Sequence, residues 1–498
     1  MPEKKPPFSA ELTAFLAEKD FVYGPEPELY GGVSGFYTYG TLGKRLKNNL
    51  EGIIRTIFNQ NGFFEIEYPT VAPAIVWKAS GHLDHFNDPI ITCSKCKASF
   101  RADKLIEEAG HMLTAHADTD LLEAIQTHGI QCPSCKGRLT LEIKRQSLMM
   151  KTTVGIDTEA YNRPETATTT YLPFKRYINF FRGKTPFSVF QIGKAYRNEI
   201  SPRQHMLRAR EFTQAEAQVF VAPEQKNDWP PFETLKEMSL PLWTESQQKE
   251  NKTPGILSLS QAMGQRIFRN KAYAWSVGLA YSIFKAFGIP ENKMRLRQHW
   301  TDEKAFYADD AWDLEIELAS FGWTEMCGVH DRTDYDLNKH AEYSKQKLTA
   351  KRLDHSEFTP HVLEIAFGID RPFFALCDLS YEKREDDEQR INLRLPARLA
   401  PIQVAIFALM ARDGLDTLAR KIHDDLQKKF LTYYDESGSI GRRYSRMDSV
   451  GTPYCLTVDY ESKEDHAVTL RERDTMKQER VKIADLADYL QKKLGAHA

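Results

Sequence analysis

The sequence has no run of about eighteen apolar residues, so it contains no candidate transmembrane helix. Its first residues, MPEKKPPFSAELTAF, hold neither an apolar signal segment nor an amphipathic pattern rich in Arg and Ser. We therefore expect a cytoplasmic location rather than secretion or import into an organelle. The formal net charge is only -2 over 498 residues. Because the chain has no general attraction to nucleic acid, any RNA binding must come from local basic patches.

Cysteine is scarce, with seven in the whole chain. Four of them form two Cys-x-x-Cys pairs, a metal-binding pattern in which each pair brings two thiolates to one ion from a single tight turn. We expect structural zinc, with reduced, metal-free cysteines as the alternative; a disulfide framework does not suit a reducing cytosol. The remaining Cys327, Cys377 and Cys455 are isolated among apolar residues and are expected to be buried. The expected zinc ligands are Cys93, Cys96, Cys132 and Cys135.

The length and a hydrophobic content of 41% allow about two to four domains with cores of their own. Apolar residues at helical spacing run from Leu42 to Phe58, and the helix is predicted to stop at Asn61-Gly62. A strand, FFEIEYP, follows at once and ends at Pro69, which has no amide hydrogen for pairing. Strict alternation over 312–318, WDLEIEL, predicts another strand, half-buried.

Residues 190–216, FQIGKAYRNEISPRQHMLRAREFTQAE, consist of two apolar runs around a short polar loop and predict an antiparallel hairpin. The first strand leads into Arg197 and Glu199, a cation and a carboxylate suited to binding a nucleotide, because a guanidinium offers a rigid set of donors to phosphate oxygens. Phe212 on the returning strand offers an aromatic face for a base. For an isolated R-x-E pattern, a solvated hairpin with an internal ion pair is the alternative.

This hairpin resembles motif 2 of the class II aminoacyl-tRNA synthetases, and RNEISPR followed by REFTQAE is similar to the glycyl-tRNA synthetase version. The helix and strand between residues 42 and 69 resemble motif 1, the segment that builds the dimer interface in that class. HVLEIAFGIDR, residues 361–371, reads as a strand running through glycine into a helix and resembles motif 3. The resemblance covers nearly the full chain and extends through VWKASGHLDHFNDP and FRADKLIEEAG around the cysteine pairs.

The resemblance implies an α+β fold: a class II synthetase catalytic domain, an antiparallel sheet flanked by helices, over residues 1–393, with a zinc-ribbon-like insertion at 90–145. Within the insertion we expect a helical stretch near 105–125, and at 223–260 we expect a surface insertion with loop chemistry. Residues 394–498 alternate strands and helices as an α/β layer and resemble the anticodon-binding domain of glycyl-, threonyl-, prolyl- and histidyl-tRNA synthetases. The basic face expected there for tRNA, with ordinary surface arginines as the alternative, comprises Arg442, Arg443, Arg446, Arg471 and Arg473.

The activity implied is that of a homodimeric glycine–tRNA ligase without a membrane partner, which uses ATP and Mg²⁺ to form glycyl-adenylate and then transfers glycyl to the 3′ end of tRNA(Gly). The first step needs no protein nucleophile, because a carboxylate is already nucleophilic and catalysis comes from positioning and charge neutralisation. By this resemblance Arg197, Glu199 and Arg371 are catalytic, and Glu325 also binds magnesium. The implied ATP-binding residues are Arg197, Asn198, Glu199, Leu207, Arg208, Phe212, Glu325, Met326, Gly368 and Arg371.

The implied glycine pocket contains three carboxylates and few neighbouring cations. Because buried unpaired carboxylates are costly, this composition suits a ligand that carries an ammonium group. The chain departs from the family twice, with Thr168-Thr169-Thr170 in place of Gln-Gly and Ala366 in place of the serine of Glu-Pro-Ser. Losing that hydroxyl costs on the order of 1.5–3 kcal/mol unless it is replaced. Two alternatives therefore stay open: a synthetase-like protein with altered amino acid specificity, and a non-catalytic nucleic-acid-binding relative. The implied glycine-binding residues are Arg101, Glu165, Glu216, Glu364 and Ala366.

Overall fold

The computed structural model describes residues 7–495 apart from 112–116, 201, 203, 302, 305–307 and 385–386. Its largest element is a nine-stranded sheet in the order β5-β4-β6-β7-β8-β9-β3-β2-β1, in which only the β4–β6 and β2–β1 pairs are parallel. This confirms the expected, mainly antiparallel catalytic sheet. The strands are β1 Phe63–Glu65, β2 Phe187–Tyr196, β3 Glu211–Val221, β4 Ser239–Trp243, β5 Gly255–Ser258, β6 Met294–Gln298, β7 Asp310–Leu318, β8 Gly322–Asp331 and β9 His361–Gly368.

Helices cover this sheet and shorter helices join its strands. The longer helices of the whole described chain, including those of the cysteine module and of the C-terminal region, are α1 Phe8–Glu18, α2 Thr41–Gln60, α3 Ala102–Glu108, α4 Asp118–Thr127, α5 Phe174–Phe180, α6 Lys271–Ala286, α7 Tyr335–Ser344, α8 Asp370–Ser380, α9 Leu415–Leu426, α10 Ile440–Ser449 and α11 Leu486–Gly495. The shorter ones are Ala74–Ala79, His82–His85, Ala167–Tyr171, Phe232–Leu235, Glu245–Lys249, Leu259–Gly264 and Ser462–Asp465. No helix in the described part of the chain has the length and apolar character needed to cross a membrane.

The motif-1 helix α2 follows its apolar spacing closely. Leu46, Leu50, Ile54 and Phe58 recur at four-residue intervals and are fully buried, which places one face of α2 in the main core. The chain leaves the helix through Gly62, whose φ of 79° lies in the left-handed region that glycine adopts without strain. Strand β1 then joins the sheet at its outer edge.

Residues 223–260 are folded rather than a loop excursion, which corrects the expectation from sequence. Strands β4 and β5 extend the free end of the sheet, because Leu240 and Leu242 alternate into the core. The polar residues that suggested a loop cap short helices instead: the hydroxyl oxygens of Thr244 and Ser258 accept from backbone amides in the first turns that follow them.

Strand β7 was predicted to be half-buried, and the structure shows it buried on both faces. Its acidic side chains remain there because cations on the neighbouring strand β6 neutralise them. Arg295 Nε lies 2.6 Å from Glu315 Oε2, and Arg297 reaches Asp313 at 3.5 Å. Alternation of apolar and acidic residues therefore marked an internal ion-pair layer, not a solvent face.

The two cysteine pairs lie in a small module with its own core around Phe100, Leu105 and Leu121. One helical stretch was expected there, but within the described residues the structure has two separate helices, α3 and α4. The module's sheet contains Ser99–Arg101, Asn87–Thr92 and Lys144–Ser147. The other small sheets are Val22–Tyr23 with Thr38–Tyr39, Val71–Pro73 with Thr158–Asn162 and Met150–Val154, Ala350–Lys351 with Glu357–Phe358, and Tyr381–Arg384 with Asp387–Leu393.

The C-terminal part forms a five-stranded sheet in the order β11-β10-β12-β13-β14, with α9 and α11 contributing to its core. Three arginines expected on a basic RNA face are buried and support the fold instead. Arg471 forms a bidentate pair with Asp448, and Arg443 and Arg473 donate to backbone carbonyls. Arg442 and Arg446 are exposed. The strands are β10 Val404–Ala408, β11 Thr432–Asp435, β12 Tyr454–Val458, β13 Ala467–Glu472 and β14 Gln478–Lys482.

Candidate active site

One cleft of about 770 Å³ over the centre of the nine-stranded sheet brings together nearly all the site residues predicted from sequence. Among the predicted ATP- and glycine-binding residues Asn198 is the exception: it does not line the cleft, and its backbone N–H donates to the carbonyl of Leu148 at 2.8 Å. Leu207 and Met326 are buried apolar parts of the wall. The predicted residues that line the cleft are Arg101, Glu165, Arg197, Glu199, Leu207, Arg208, Phe212, Glu216, Glu325, Met326, Glu364, Ala366, Gly368 and Arg371.

Arg197 follows the last residue of β2 and is held between two aromatic rings. Its guanidinium carbon lies 5.3 Å from the ring centroid of Phe212 and 5.3 Å from that of Phe86. Its Nε donates to the carbonyl of Pro164 at 3.1 Å, and among the described residues no hydrogen bond engages its terminal nitrogens, so these can bind a ligand. The hairpin positions Phe212 for this contact, because Ala195 on β2 pairs with Phe212 on β3.

Glu199 lies beyond Arg197 and is buried against a second arginine. Arg208 Nε donates to Glu199 Oε2 at 2.7 Å, and Arg208 also approaches Asp88 at 3.8 Å. The backbone carbonyl of Glu199 accepts from Arg210 Nε at 2.8 Å, which fixes the loop between the two strands. The carboxylate is therefore positioned by an ion pair at the rim of the cleft.

Arg371, at the start of α8, and Glu325, on β8, are paired across the cleft. Arg371 Nη1 lies 3.1 Å from Glu325 Oε1 and also donates to the backbone carbonyl of Glu325 at 2.9 Å. Gly368 lies at the end of β9, where a Cβ would meet only the carbonyl of Thr213 at 3.9 Å. The backbone at Gly368 is therefore open to a ligand in the cleft.

Three carboxylates converge at the inner end of the cleft. Glu216 accepts from the hydroxyl of Thr166 at 2.5 Å, and Glu364 accepts from the hydroxyl of Tyr171 at 2.8 Å. Glu165 accepts from the hydroxyl of Thr168 at 2.8 Å. The Thr168 that replaces the family's usual residue thus supports this carboxylate directly.

The electrostatics of the three carboxyls differ. Burial, reinforced by the nearby charges of Glu364 and Glu165, raises the pKa of Glu216 to about 8. Burial also acts to raise the pKa of Glu165, but His82 and Arg332 outweigh it and hold that pKa below its usual value. The pocket thus holds one carboxyl that is protonated at neutral pH beside ionised neighbours.

Cations that sequence reasoning missed surround these carboxylates. Arg332 Nη1 lies 3.3 Å from Glu364 Oε1, and His82 Nε2 lies 3.6 Å from Glu165 Oε2. Arg101, the cation expected to serve the pocket, is instead paired with Asp88 at 3.1 Å and with Asp103. The stretch RTDYDL, which begins at Arg332 directly after β8, could have drawn attention to this arginine. The sequence alone does not show that Arg332 lies against Glu364 on β9.

The four cysteines of the module form one cluster whose sulfur atoms all lie within 4.8 Å of one another. The Sγ atoms of Cys93 and Cys135 are 3.6 Å apart, as are those of Cys96 and Cys132. A tetrahedral site with Zn–S bonds near 2.3 Å requires sulfurs about 3.8 Å apart, so the set fits zinc. The amide of Cys96, 3.5 Å from Cys93 Sγ, lowers the pKa of that thiol to about 6, which favours one thiolate, whereas at Cys96 the amide of Ala98 is outweighed by the other three thiols, which raise the pKa of Cys96.

The fold is similar to that of a solved prolyl-tRNA synthetase from Cryptosporidium parvum, crystallised with halofuginone and AMPPNP. The two share a TM-score of 0.60 at 12% identity, over 98% of this chain and 78% of the other. Residues 403–493 match the family described as "Anticodon binding domain". The fold is that of the class II aminoacyl-tRNA synthetases.

The sequence is similar over nearly its whole length to proteins named glycine–tRNA ligase. The Thermococcus sibiricus protein is 38% identical over 96% of this chain and 97% of its own length. The Methanocaldococcus jannaschii protein is 38% identical over 94% of this chain and 96% of its own length. The chain belongs to the glycine–tRNA ligase family.

Proposed function

We propose that the protein attaches glycine to tRNA(Gly) in two steps within this cleft. The glycine carboxylate attacks the α-phosphorus of ATP, giving glycyl-adenylate and pyrophosphate. A ribose hydroxyl at the 3′ end of the tRNA then attacks the glycyl carbonyl, which forms the ester and releases AMP. The observation that carries this proposal is the convergence of Arg197, Arg371 and the three carboxylates on one cleft. A zwitterion and a polyphosphate require this combination of charges side by side.

On the ATP side, Arg197 supplies donors to phosphate oxygens while Phe212, already in contact with the guanidinium, offers its ring to the adenine. Arg371 binds a terminal phosphate at the start of α8. Its present partner Glu325 is then free to serve the Mg²⁺ that accompanies ATP and neutralises phosphate charge, as a hard oxygen ligand. Glu199 acts through Arg208 and orders the rim.

On the glycine side, Glu216, Glu364 and Glu165 bind the ammonium group. Glu216 is protonated in the free protein because burial and its acidic neighbours raise its pKa to about 8, and an arriving ammonium favours its ionisation. Arg101 attracts the substrate carboxylate only if its pairs with Asp88 and Asp103 open. Ala366 lies on the neighbouring wall, opposite Gly328.

Residues 1–393 form the catalytic domain with the insertion at 90–145, and residues 394–498 bind the anticodon region, with Arg442 and Arg446 exposed for phosphates. Zinc stabilises the cysteine module. A homodimer is supported by the free edge of β1, where Phe64 and Phe180 are 49% and 66% exposed and pack edge to face. A cytoplasmic location stays a prediction.

The decisive experiment is aminoacylation of purified tRNA(Gly) with radiolabelled glycine by the purified full chain. Glycyl-tRNA formation is expected, with pyrophosphate exchange that depends on glycine. Exchange that proceeds faster with alanine or serine than with glycine would replace the proposal by a synthetase of altered specificity. The absence of exchange with every amino acid tested would favour a non-catalytic relative.

A further inference from the structure

A second cluster of metal-ligating side chains lies on the floor of the cleft, away from the cysteine module. His299, Asp313 and His330 each place one ligand atom so that all three atoms lie within 4.8 Å of one another. They come from three successive strands: His299 follows β6, Asp313 lies on β7 and His330 lies on β8. We propose that these three side chains bind a divalent transition metal ion.

The strand register explains why the side chains meet. Asp313 pairs with Gly328 and Ala311 pairs with His330 on the adjacent strand, so small residues separate the ligands. A Cβ on Gly328 would approach the His330 ring to 2.6 Å, and only glycine leaves room for the imidazole to lie over this position. His299 Nε2 lies 2.8 Å from Asp313 Oδ2, which holds these two ligands together on the same face.

The surroundings have the features of an organised metal site. Glu364 Oε1 lies 3.4 Å from His330 Nδ1, a nitrogen that is buried without an aligned hydrogen bond, and metal-bound imidazoles commonly have such a carboxylate behind them. Arg297 also reaches Asp313 at 3.5 Å, but its shortest contacts, 2.6 and 2.9 Å, are with Glu303. Asp313 therefore keeps lone pairs for an ion.

The donor set decides the class of metal. Two imidazoles and one carboxylate suit Zn²⁺, Co²⁺, Ni²⁺ or Fe²⁺, whereas Mg²⁺ prefers oxygen ligands only. This site is therefore distinct from the magnesium role proposed for Glu325. Three protein ligands leave an open coordination position, and because all three side chains line the cleft, a nitrogen or oxygen of a molecule bound there completes the coordination.

The test is metal binding by the full chain with no substrate present, so its outcome is independent of the proposed activity. Protein whose cysteine site is already filled with zinc is titrated with Co²⁺, followed by visible absorption and by metal analysis after desalting. One further ion per chain is expected, with ligand-field bands but no new thiolate-to-cobalt charge-transfer band, because the ligands are nitrogen and oxygen.

Variants locate the ion. His330→Ala and His299→Ala should each weaken Co²⁺ binding at least about 10–100-fold, since losing even an outer partner of a ligand has an effect of that size. His361→Ala, which removes an imidazole from β9 outside the cluster, should leave binding unchanged. A wild-type chain that takes up no further ion at millimolar Co²⁺, or a folded His330→Ala that binds it as tightly as the parent, would overturn the proposal.

Discussion

Glu216 on β3 lies directly opposite Ala366 on β9, and on the other side of β9 Ala366 lies opposite Gly328 on β8. The wall next to the inner carboxylates is therefore built from two of the smallest side chains. Small walls beside the proposed ammonium-binding cluster suit a small amino acid, but the methyl group of Ala366 and the hydrogen of Gly328 offer no polar atom. On the proposed function, the substrate ammonium must take its acceptors from Glu216 and its acidic neighbours.

Restoring a hydroxyl at this position should strengthen glycine binding. For Ala366→Ser we expect the KM for glycine in pyrophosphate exchange to fall about tenfold or more, because a hydrogen bond to a charged group is worth about 1.5–3 kcal/mol. Ala366→Val is the matched control: it adds volume without an acceptor and should raise KM by clash. An unchanged KM in the serine variant would mean that the neighbouring carboxylates already satisfy the ammonium.

Glycine affinity should depend on pH through Glu216. Its pKa of about 8 in the free protein means that ammonium binding displaces a proton at neutral pH. The KM for glycine should therefore fall as pH rises from about 6.5 to 8.5. Glu216→Gln cannot ionise and should show a higher KM that is flat over this range; a slope equal to that of the parent would show that another group titrates.

The same carboxyl should affect stability in the opposite direction. A carboxyl whose pKa is raised on folding binds more protons in the folded than in the unfolded protein between pH 4.5 and about 8. Its contribution to the free energy of unfolding is therefore lost as pH rises through that window. Glu216→Gln should therefore raise Tm, by a few °C, at pH 8.5 but not at pH 4, as measured by calorimetry. Equal shifts at both pH values would contradict the raised pKa.

Arg197→Ala should abolish glycyl-adenylate formation while leaving the oligomeric state unchanged. The guanidinium carbon lies 5.3 Å from the ring centroid of Phe212, and losing this group removes both the proposed phosphate donors and a cation in contact with that ring. We expect pyrophosphate exchange to fall at least about 10²–10³-fold. Arg269→Ala removes an exposed arginine paired with Asp309 and serves as the control that keeps full activity. Unchanged exchange in Arg197→Ala would remove its assigned role.

Local patterns were sufficient to predict the helix α2, the hairpin of β2 and β3, and the strand that leads to Gly368, because apolar periodicity and glycine position are properties of short segments. The same patterns could not show which charges are buried. The alternating pattern predicts that Asp313 and Glu315 face solvent, but in the structure both are buried beside arginines of β6. Whether a charged side chain can be buried depends on the counter-charge that a neighbouring strand supplies, and the sequence of its own strand does not show this.

The candidate site shows the same limit. Motif positions brought Arg197, Glu199 and Arg371 to one cleft, but the partners of the carboxylates come from segments far apart in the chain. Glu364 meets Arg332 at 3.3 Å because β8 and β9 are adjacent, and Glu165 meets His82 through the packing of a short helix. Only the folded arrangement shows that Arg332 and His82 lie beside these carboxylates.

The cysteine module should hold one zinc ion per chain after mild chelation, which would strip the weaker three-ligand site. Cys96→Ser should lose that ion and destabilise the module, since four thiolates complete the tetrahedron. Metal analysis measures the loss, and Cys455→Ala, which removes a buried cysteine from strand β12, is the control that retains zinc. A well-folded parent protein free of metal would refute the assignment.

Two arginines of the C-terminal region should separate folding from tRNA binding. Arg471→Ala leaves Asp448 buried and unpaired, so we expect unfolding to become easier by on the order of 3–5 kcal/mol in denaturant titration. Arg442 is exposed, and its removal should leave stability and pyrophosphate exchange unchanged while weakening tRNA binding and lowering its salt dependence by about one phosphate contact. If Arg442→Ala bound tRNA like the parent at low and high salt, the RNA surface would have to rest on Arg446 or lie elsewhere, because Arg443, Arg471 and Arg473 are buried.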